Sequence, residues 1–253
     1  MKRKVSEGIT WLEFEIFAPF PEIQHAIILR HGGFSQGSFS SMNLSRSGGD
    51  DESQVIANFS KIKSLFNFPY LVQANQIHGR DVHHVTEHRR DLVGDGLITQ
   101  ERELPLIVTH ADCQAALFYD PVKKAVAAVH SGWRGSVHNI YAQTIQKMES
   151  HFGTDAKDLH VGISPSLGPF HAEFIHYQTE LPQAFWKYQI RPNHFDFWQI
   201  SEMQLKEAGV PINQIEIARL CTYSNPEDFY SYRRCKLRGG HASLIALRTT
   251  KTQ

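Results

Sequence analysis

Six apolar segments of strand length limit how this 253-residue chain can fold. Each is four to six residues long, which is short for a buried helix and suits a strand inside a packed sheet. Asp120-Pro121 between two of them is a turn sequence that joins neighbouring strands directly. Short links of this kind favour a mixed sheet over a strict parallel strand–helix series. The six segments are residues 104–109, 115–119, 125–130, 160–163, 215–220 and 242–247.

Helices and two further strands complete the predicted elements. Residues 12–17 alternate apolar and charged side chains and residues 26–29 are apolar, so both predict strands. Ser136 and Asp196 are suitable N-caps, and Gly209 is a suitable C-terminal stop. Apolar side chains at helical spacing predict helices at residues 52–66, 136–149 and about 197–208. No repeat or linker interrupts them, so we expect one domain over residues 1–253, with helices packed on a mixed sheet.

Composition excludes several classes of protein. The 26 acidic and 26 basic residues balance, so no overall charge favours nucleic acid or an anionic membrane. No run of 18 apolar residues predicts a membrane span, and no apolar segment follows the basic N-terminus as in a secretory signal. Three cysteines do not suggest a disulfide framework. We expect a cytoplasmic protein that acts on small molecules, and the sequence leaves its oligomeric state open.

One cysteine and two histidines are the candidate reactive residues. Cys113 lies at a kink between two apolar segments, and His130 ends the next segment, 17 residues later. His78 lies 35 residues before Cys113, in Gln-Ile-His-Gly. Together they could hold zinc with one open position, or Cys113 and His130 could form a nucleophile–base pair. A small buried thiol and a structurally bonded histidine are the simpler readings, and spacing alone does not link the three.

Two basic motifs suggest anion binding. His130-Ser-Gly-Trp-Arg-Gly135 follows a strand and precedes a helix, so free N–H groups near Gly132 and Gly135, with Arg134, could hold an anion. A tight turn with Trp133 buried and Arg134 solvated is the alternative. Residues 230–234, Tyr-Ser-Tyr-Arg-Arg, could clamp a planar anionic ligand or form a solvated edge strand. The Gly- and Ser-rich loop 32–51 is either mobile or part of a site.

Seven motifs, in their order and approximate spacing, resemble the YfiH-like family, also called the laccase-domain or multicopper polyphenol oxidase-like family. The resemblance spans roughly residues 25–247. The matching stretches are Arg30-His-Gly-Gly-Phe-Ser35, Ser41-Met-Asn-Leu44, Gln76-Ile-His-Gly79, Thr109-His-Ala-Asp-Cys113, His130-Ser-Gly-Trp-Arg-Gly135, Gly162-Ile-Ser-Pro165 and Phe229-Tyr-Ser-Tyr-Arg-Arg234.

This resemblance implies an α+β fold with α/β/α layers, in which helices flank mixed sheets in a cysteine-hydrolase architecture. It implies a metal site of His78, Cys113 and His130, most often assigned as zinc. It further implies phosphorolysis of adenosine, inosine, guanosine and methylthioadenosine, with adenosine deamination as well. Peptidoglycan-precursor editing and copper-dependent phenol oxidation are the alternative activities described for such proteins.

The chain departs from the family pattern in three segments, which are candidates for lining the pocket. Gly168-Pro-Phe-His-Ala-Glu173 replaces a Cys-Cys-containing stretch, with Ser164 in place of the usual Gly. Asn58-Phe59 stands where relatives have Asn-Arg. Arg238-Gly-Gly240 stands for Thr-Gly-Arg. The three metal-ligand positions are intact.

The donor chemistry favours zinc over copper oxidase chemistry. One thiolate and two imidazoles suit a tetrahedral ion with an open position, whereas multicopper oxidation needs several clustered histidine sites. We expect Cys113, Asp112 and His130 to be catalytic, Asp112 by moving a proton or by orienting a metal ligand. Arg134 and Gly135 are expected at an anion such as phosphate. On the resemblance, Arg30, Asn43 and Gln76 are further candidates for ligand contacts. Rival hypotheses are a Cys113 nucleophile in an amide hydrolase and a non-enzymatic binding protein.

Overall fold

The computed structural model describes residues 1–89 and 91–249. Thirteen strands are present in these residues, and most of them are short. They are β1 (Lys2–Ser6), β2 (Ile9–Glu13), β3 (Ile23–Ile28), β4 (Val82–His84), β5 (Gly96–Thr99), β6 (Leu106–His110), β7 (Gln114–Asp120), β8 (Ala125–Ser131), β9 (His160–Ile163), β10 (Gln189–Arg191), β11 (His194–Phe195), β12 (Ile215–Ile217) and β13 (His241–Leu247).

The strands form two large sheets and one small hairpin. The first sheet has the order β1-β2-β3-β13-β6 and is antiparallel throughout. The second has the order β12-β9-β7-β8-β5-β4 and is mixed, because its two outer pairs are parallel and its inner pairs antiparallel. Strands β10 and β11 pair separately. The mixed sheet predicted from short turns is therefore confirmed for the six-stranded sheet.

The two large sheets share one apolar core. Because side chains alternate between the two faces of a strand, every second residue of a central strand faces the other sheet. In β13, Ile245 and Leu247 belong to the shared core, and in β8, Val126 and Ala128 do so. All four are fully buried. The opposite faces of both sheets are also buried, which explains why these segments are continuously apolar.

Helices cover both outer faces. They are α1 (Glu52–Leu65), α2 (Trp133–Val137), α3 (Ile140–Phe152), α4 (Tyr177–Glu180) and α5 (Phe197–Glu207). Helix α1 packs on the outer face of the five-stranded sheet through Val55, Phe59 and Ile62. Helices α3 and α5 contribute Tyr141, Met148 and Leu205 to the outer face of the six-stranded sheet. The mixed α+β class is confirmed. The layers run helix, sheet, sheet, helix, so the structure has one more sheet layer than the expected α/β/α order.

The helix predicted at residues 136–149 is two helices. Helix α2 begins after Gly132, and the chain is reset at Asn139, whose left-handed backbone and side-chain contact to the Ala142 N–H cap α3. Ser136 is therefore inside α2 and is not an N-cap. The other two helix predictions are confirmed, with Asp196 capping α5 and a left-handed Gly209 just beyond its end.

Several strand predictions differ from the structure at their ends, among them residues 26–29, where β3 runs from Ile23 to Ile28. Residues 12–17 divide between β2 and a 3₁₀ turn at Glu15–Phe17, because Phe14 and Phe17 both turn into the core. Residues 104–109 and 215–220 contain shorter strands than predicted. In the described part of the chain, no helix is long and apolar enough to cross a membrane. A single domain over residues 1–253 stays a prediction, since residue 90 and residues 250–253 lie outside the described ranges.

Candidate metal centre and its cleft

His78, Cys113 and His130 meet at one place, although they come from three separate segments. One ligand atom from each lies within 4.8 Å of the others. The pairing of β7 with β8 sets Gln114 opposite Ser131 and Ala115 opposite His130, which brings the bend at Cys113 beside His130. His130 is buried, Cys113 is partly buried and His78 is exposed, so the group opens on one side.

Asp95, which precedes β5, fixes the orientation of His130. Its Oδ1 lies 2.8 Å from His130 Nδ1, and its carbonyl accepts a 2.7 Å hydrogen bond from the His130 N–H. With Nδ1 held by a buried carboxylate, Nε2 is the nitrogen left to face Cys113. Asp95 was missed in the sequence analysis. The available signal was an acidic residue in Gly94-Asp95-Gly96 at the start of an apolar strand that was also overlooked.

The same carboxylate holds the loop that carries His78. It accepts backbone hydrogen bonds from Ile77, His78 and Gly79, at 3.2, 3.0 and 2.7 Å. His78 has a positive φ of 59°, a left-handed conformation that is unfavourable for a side chain of this size. Three consecutive contacts to one buried acid stabilise this conformation, so Asp95 positions two of the three candidate ligands.

Gly132 leaves room for the cluster. A Cβ atom at this position would lie 3.0 Å from His78 Cδ2 and 3.2 Å from Cys113 Sγ. Both distances are tighter than most real side-chain contacts, so an added methyl group would push the His78 ring or the Cys113 thiol by a few tenths of an ångström. The glycine of the His-Ser-Gly-Trp-Arg-Gly motif is thus required by space at the thiol, in addition to any turn it makes.

The charges of Cys113 and His130 depend on each other. Burial raises the pKa of the Cys113 thiol, but the neighbouring imidazoles of His130 and His78 outweigh it and lower this pKa to about 6. Burial lowers the pKa of His130, yet the Cys113 thiolate and Asp95 raise it to about 9. Burial likewise disfavours the charged form of Asp95, while His130 and the backbone donors bring its pKa below the usual range. A thiolate at neutral pH is the form in which cysteine binds metals or attacks electrophiles.

Asp112 lies beside Cys113 but does not orient a ligand of the group. Its Oδ1 accepts a hydrogen bond from the Thr222 hydroxyl and its Oδ2 one from the Arg233 backbone N–H, both at 2.6 Å. These contacts fix a left-handed backbone, with φ of 84°, immediately before the thiol. The expectation that Asp112 orients a metal ligand is therefore met by Asp95 instead. Proton transfer by Asp112 stays a prediction.

The cluster opens into a cleft of about 920 Å³. One wall contains Trp133 and Phe174, whose rings meet edge to face with centroids 6.0 Å apart. Two of the segments that depart from the family pattern, at residues 172–173 and 238, line this cleft. The cationic residues at its surface are Arg134, Arg233, Arg234, Lys236 and Arg238, and the acidic ones are Asp112, Glu173 and Glu180.

Arg134 also lines the cleft, with its guanidinium 4.8 Å from the centroid of the Trp133 ring. Gly135 is buried within α2 and close to Ser131 Oγ, so its side of the helix faces the interior. Helix α2 has only five residues, which leaves little dipole for an anion at its start. Anion binding by Arg134 and these backbone groups stays a prediction.

The remaining predicted ligand contacts are not among the residues that line the cleft. Arg30 donates to the carbonyls of Ser40 and Pro226. Fully buried Asn43 bonds Ser45, Asp50 and the Gly240 N–H. Both side chains tie the 32–51 loop to its neighbours, and their contact with ligand stays a prediction. None of the described cleft-lining residues belongs to that loop.

Gln76 is likewise engaged with the protein. Its amide exchanges hydrogen bonds with the backbone of Thr109, donating to the carbonyl at 2.7 Å and accepting from the N–H at 2.8 Å. It therefore ties the loop before His78 to the end of β6. Its contact with substrate, expected on the resemblance, stays a prediction.

The residues present fit a metal ion. A thiolate and two imidazoles are a donor set typical of zinc, the buried acid on His130 is the usual outer partner of a ligating imidazole, and Gly132 keeps the space clear. Within the described residues this is one group of three donors, whereas multicopper oxidation needs several such centres. The fold and the site therefore define a layered α+β protein with a His-Cys-His candidate metal centre in an open cleft.

Comparisons with known proteins agree with this description. The family model described as multi-copper polyphenol oxidoreductase laccase matches residues 24–248, so the chain belongs to this laccase-like, YfiH-containing family. A purine nucleoside phosphorylase of Bacteroides thetaiotaomicron is 31% identical over 250 residues, covering 90% of this chain and 93% of that protein. Purine nucleoside phosphorylase YlmD of Bacillus subtilis is 29% identical, covering 84% of each chain.

Solved structures of the family share the fold. The crystal structure of the Bacillus licheniformis hypothetical protein YfiH matches with a TM-score of 0.87 at 27% identity, over 96% of this chain and 97% of that one. The structure of YlmD from Geobacillus stearothermophilus also gives 0.87 at 27% identity, over 97% and 98%. These similarities extend across nearly the whole length of each protein, so they concern the complete fold rather than a shared fragment.

Proposed function

We propose that this protein is a metal-dependent purine nucleoside phosphorylase that takes adenosine, inosine, guanosine and methylthioadenosine. The observation that carries the proposal is the His78–Cys113–His130 group, braced by Asp95, at the base of a cleft with aromatic and cationic walls. The names of full-length relatives support this substrate class. Adenosine deamination at the same site is the second activity that we propose.

Zinc is the metal we propose, held by His78, Cys113 and His130. When bound, zinc would act as a Lewis acid and lower the pKa of a bound water towards about 7. The hydroxide that results is the form that deamination of a purine ring requires. Asp95 keeps a proton on His130 Nδ1, so that the other ring nitrogen is free to bind. Because the pKa of His130 is raised to about 9, metal binding at neutral pH would release a proton from it.

The cleft walls suit the two substrates of phosphorolysis. In that reaction a phosphate oxygen bonds to the anomeric carbon, the glycosidic bond breaks, and its electron pair leaves with the base, which takes up a proton. Trp133 and Phe174 offer aromatic surface to the purine. Arg134 and the other cleft cations offer partners for phosphate. Asp112 is the candidate for carrying the proton, because it adjoins Cys113.

Product analysis tests the proposal. Adenosine is incubated with zinc-quantified protein, with and without inorganic phosphate. Adenine and ribose 1-phosphate that form only with phosphate would establish phosphorolysis, and inosine would establish deamination. No turnover of any purine nucleoside by zinc-loaded protein would refute the proposal, and turnover of cell-wall precursors instead would support the peptidoglycan-editing hypothesis.

Cys113→Ala tests the site itself. We expect this variant to fold, to lose stoichiometric zinc and to lose both activities, because the thiolate is one of three donors. Ser150→Ala makes a change of similar size at an exposed position of α3 and is the control, with metal content and turnover expected to match the native protein. Full activity in metal-free Cys113→Ala would contradict the assignment.

A second candidate function rests on the Cys113–His130–Asp95 geometry. A low-pKa thiol, a histidine of raised pKa and a buried acid on its Nδ1 are also the components of a nucleophilic cysteine hydrolase. Such a thiol stays reactive when the protein carries its full metal complement. Rapid irreversible alkylation of Cys113 in zinc-replete protein would favour this function, and protection by zinc would favour the metal site.

A further inference from the structure

The segment of residues 232–238, here the basic turn, brings four cations to the wall of the cleft. They are Arg233, Arg234, Lys236 and Arg238. With Arg134 the cleft surface holds five cations against three acids, although the chain as a whole has 26 of each. Within the described residues, no ion pair shorter than 4.0 Å joins any of these five cations to a carboxylate. Unpaired positive charge is thus concentrated at this cleft.

The basic turn is rigidly held next to Cys113. The Arg234 guanidinium donates to the carbonyls of Thr222, Tyr223 and Phe229, so this side chain stabilises the fold and is not free to bind a ligand. Asp112, adjacent to Cys113, accepts the Arg233 backbone N–H at 2.6 Å. Because both ends of this contact are fixed, the cations of the turn keep a set position relative to the candidate metal centre.

Two cations of the turn remain available to a ligand. The Arg233 guanidinium donates to the Glu173 carbonyl, whereas Lys236 is exposed. Arg238 lies over the Tyr232 ring, 5.1 Å from its centroid, and its buried Nε has no hydrogen-bond partner among the described atoms. A buried guanidinium donor without an acceptor is costly, and an acceptor from a ligand would satisfy it.

We propose that the basic turn, through Lys236 and Arg238, binds the phosphate group of a substrate in the cleft beside the candidate metal centre. A guanidinium fork beside a flexible ammonium group is a combination that suits phosphate oxygens. The phosphate group is either the free co-substrate of phosphorolysis or a 5′-phosphate ester on the nucleoside. This inference rests on the proposed function, and it assigns a role to a motif that the metal site does not explain.

Kinetics of Lys236→Gln, Arg238→Gln and the double variant test the inference. We expect the KM for inorganic phosphate to rise about fivefold to tenfold in each single variant and further in the double variant, with the KM for adenosine unchanged. Lys206→Gln makes the same change of charge at an exposed position of α5 and should leave both constants as they are. An unchanged phosphate KM together with unchanged inhibition by adenosine 5′-monophosphate would overturn the inference.

The two phosphate sources give different results. If the turn binds the free co-substrate, the variants change the phosphate KM and leave inhibition by adenosine 5′-monophosphate unaltered. If it binds a phosphate ester, the variants weaken that inhibition instead. Should the native protein show no phosphorolysis, inorganic phosphate is titrated against thermal stability. Stabilisation of the native protein that is lost in the double variant would uphold the phosphate site while the proposed function fails, and equal behaviour of the two would refute both.

Discussion

Asp95→Asn tests the most connected side chain of the site. The variant keeps the shape but loses the negative charge that holds His130 Nδ1 and three backbone N–H groups. We expect zinc affinity to fall about 10- to 100-fold, as is typical when the outer partner of a ligating histidine is removed. Competition with a chelator measures this. Exposed Asp81→Asn in the same region is the control, and an equal loss there would show that Asp95 has no special role.

Gly132→Ala tests whether space at the thiol limits metal binding. The new methyl group would lie 3.0 Å from His78 Cδ2 and 3.2 Å from Cys113 Sγ, so we expect reduced zinc content in a folded protein. Gly79→Ala is a matched control, because its nearest neighbours would be 3.5 Å away. Native zinc content in Gly132→Ala would mean that the group is looser than the structure indicates.

Site residues that stand in short sequence motifs could be predicted, and those outside such motifs could not. His78, Cys113 and His130 stand in short motifs at the ends of apolar segments, and the structure brings them together. Asp95 stands in no such motif, because its partners lie 16 to 35 residues away and only the fold selects them. Asn43 stands in a motif but does not line the cleft. A motif alone does not show whether a residue braces a loop or binds a ligand.

Among the elements, the junction between α2 and α3 depends on Asn139. Its side chain caps α3 and its φ of 50° is left-handed, so Asn139→Ala should lose both the cap and a favourable backbone. We expect a loss of about 2 kcal/mol in the free energy of unfolding, measured by urea denaturation. Asp51→Ala removes only a cap, from α1, and should cost about 1 kcal/mol. Equal losses would show that the left-handed backbone adds nothing.

The presence of a helix or strand was easier to predict than the point at which it breaks or ends. The apolar pattern of residues 136–149 continues through the break, because Val137 of α2 stands at helical spacing from Ile140 and Tyr141 of α3, although it packs in a different apolar cluster. The break itself is a choice of backbone at one asparagine, and periodicity does not register it. Residues 12–17 failed for the opposite reason, since the alternation continues into a 3₁₀ turn whose aromatic side chains still point inward.

At the scale of the whole molecule, buried histidines make stability depend on pH. Burial lowers the pKa of His25 to about 4, and its unprotonated Nε2 accepts the Phe14 N–H. The unfolded chain binds this proton near pH 6.5 and the folded one does not, so stability falls as the pH drops from about 6.5 to about 4. We expect His25 to remove about 2 kcal/mol between pH 7 and 5.

Urea denaturation of His25→Gln at the two pH values measures that loss. The glutamine offers an uncharged acceptor, so the pH dependence should weaken by about this amount, while exposed His138→Gln should leave it unaltered. An identical pH slope in His25→Gln would mean that other groups, such as buried His241 with its pKa lowered to about 3, account for the acid sensitivity.

The apolar pattern predicted one mixed sheet, whereas the structure has a mixed sheet and a second, antiparallel one. Every central strand is apolar on both faces, and such a segment looks the same whether its second face meets a helix or another sheet. The partner of a buried face is decided by long-range pairing, such as that of β13 with both β3 and β6. Single-strand patterns do not contain that information.

The chain leaves one sheet and enters the other between β6 and β7, and Cys113 lies within that crossing. His130 lies in the six-stranded sheet, and the loop of His78 is held by both sheets, through Gln76 and Thr109 of the five-stranded one and through Asp95 before β5 of the other. An ion bound by all three residues would add a cross-link where the chain passes between the two sheets. Metal occupancy of the centre would then depend on whether the two sheets are still packed together.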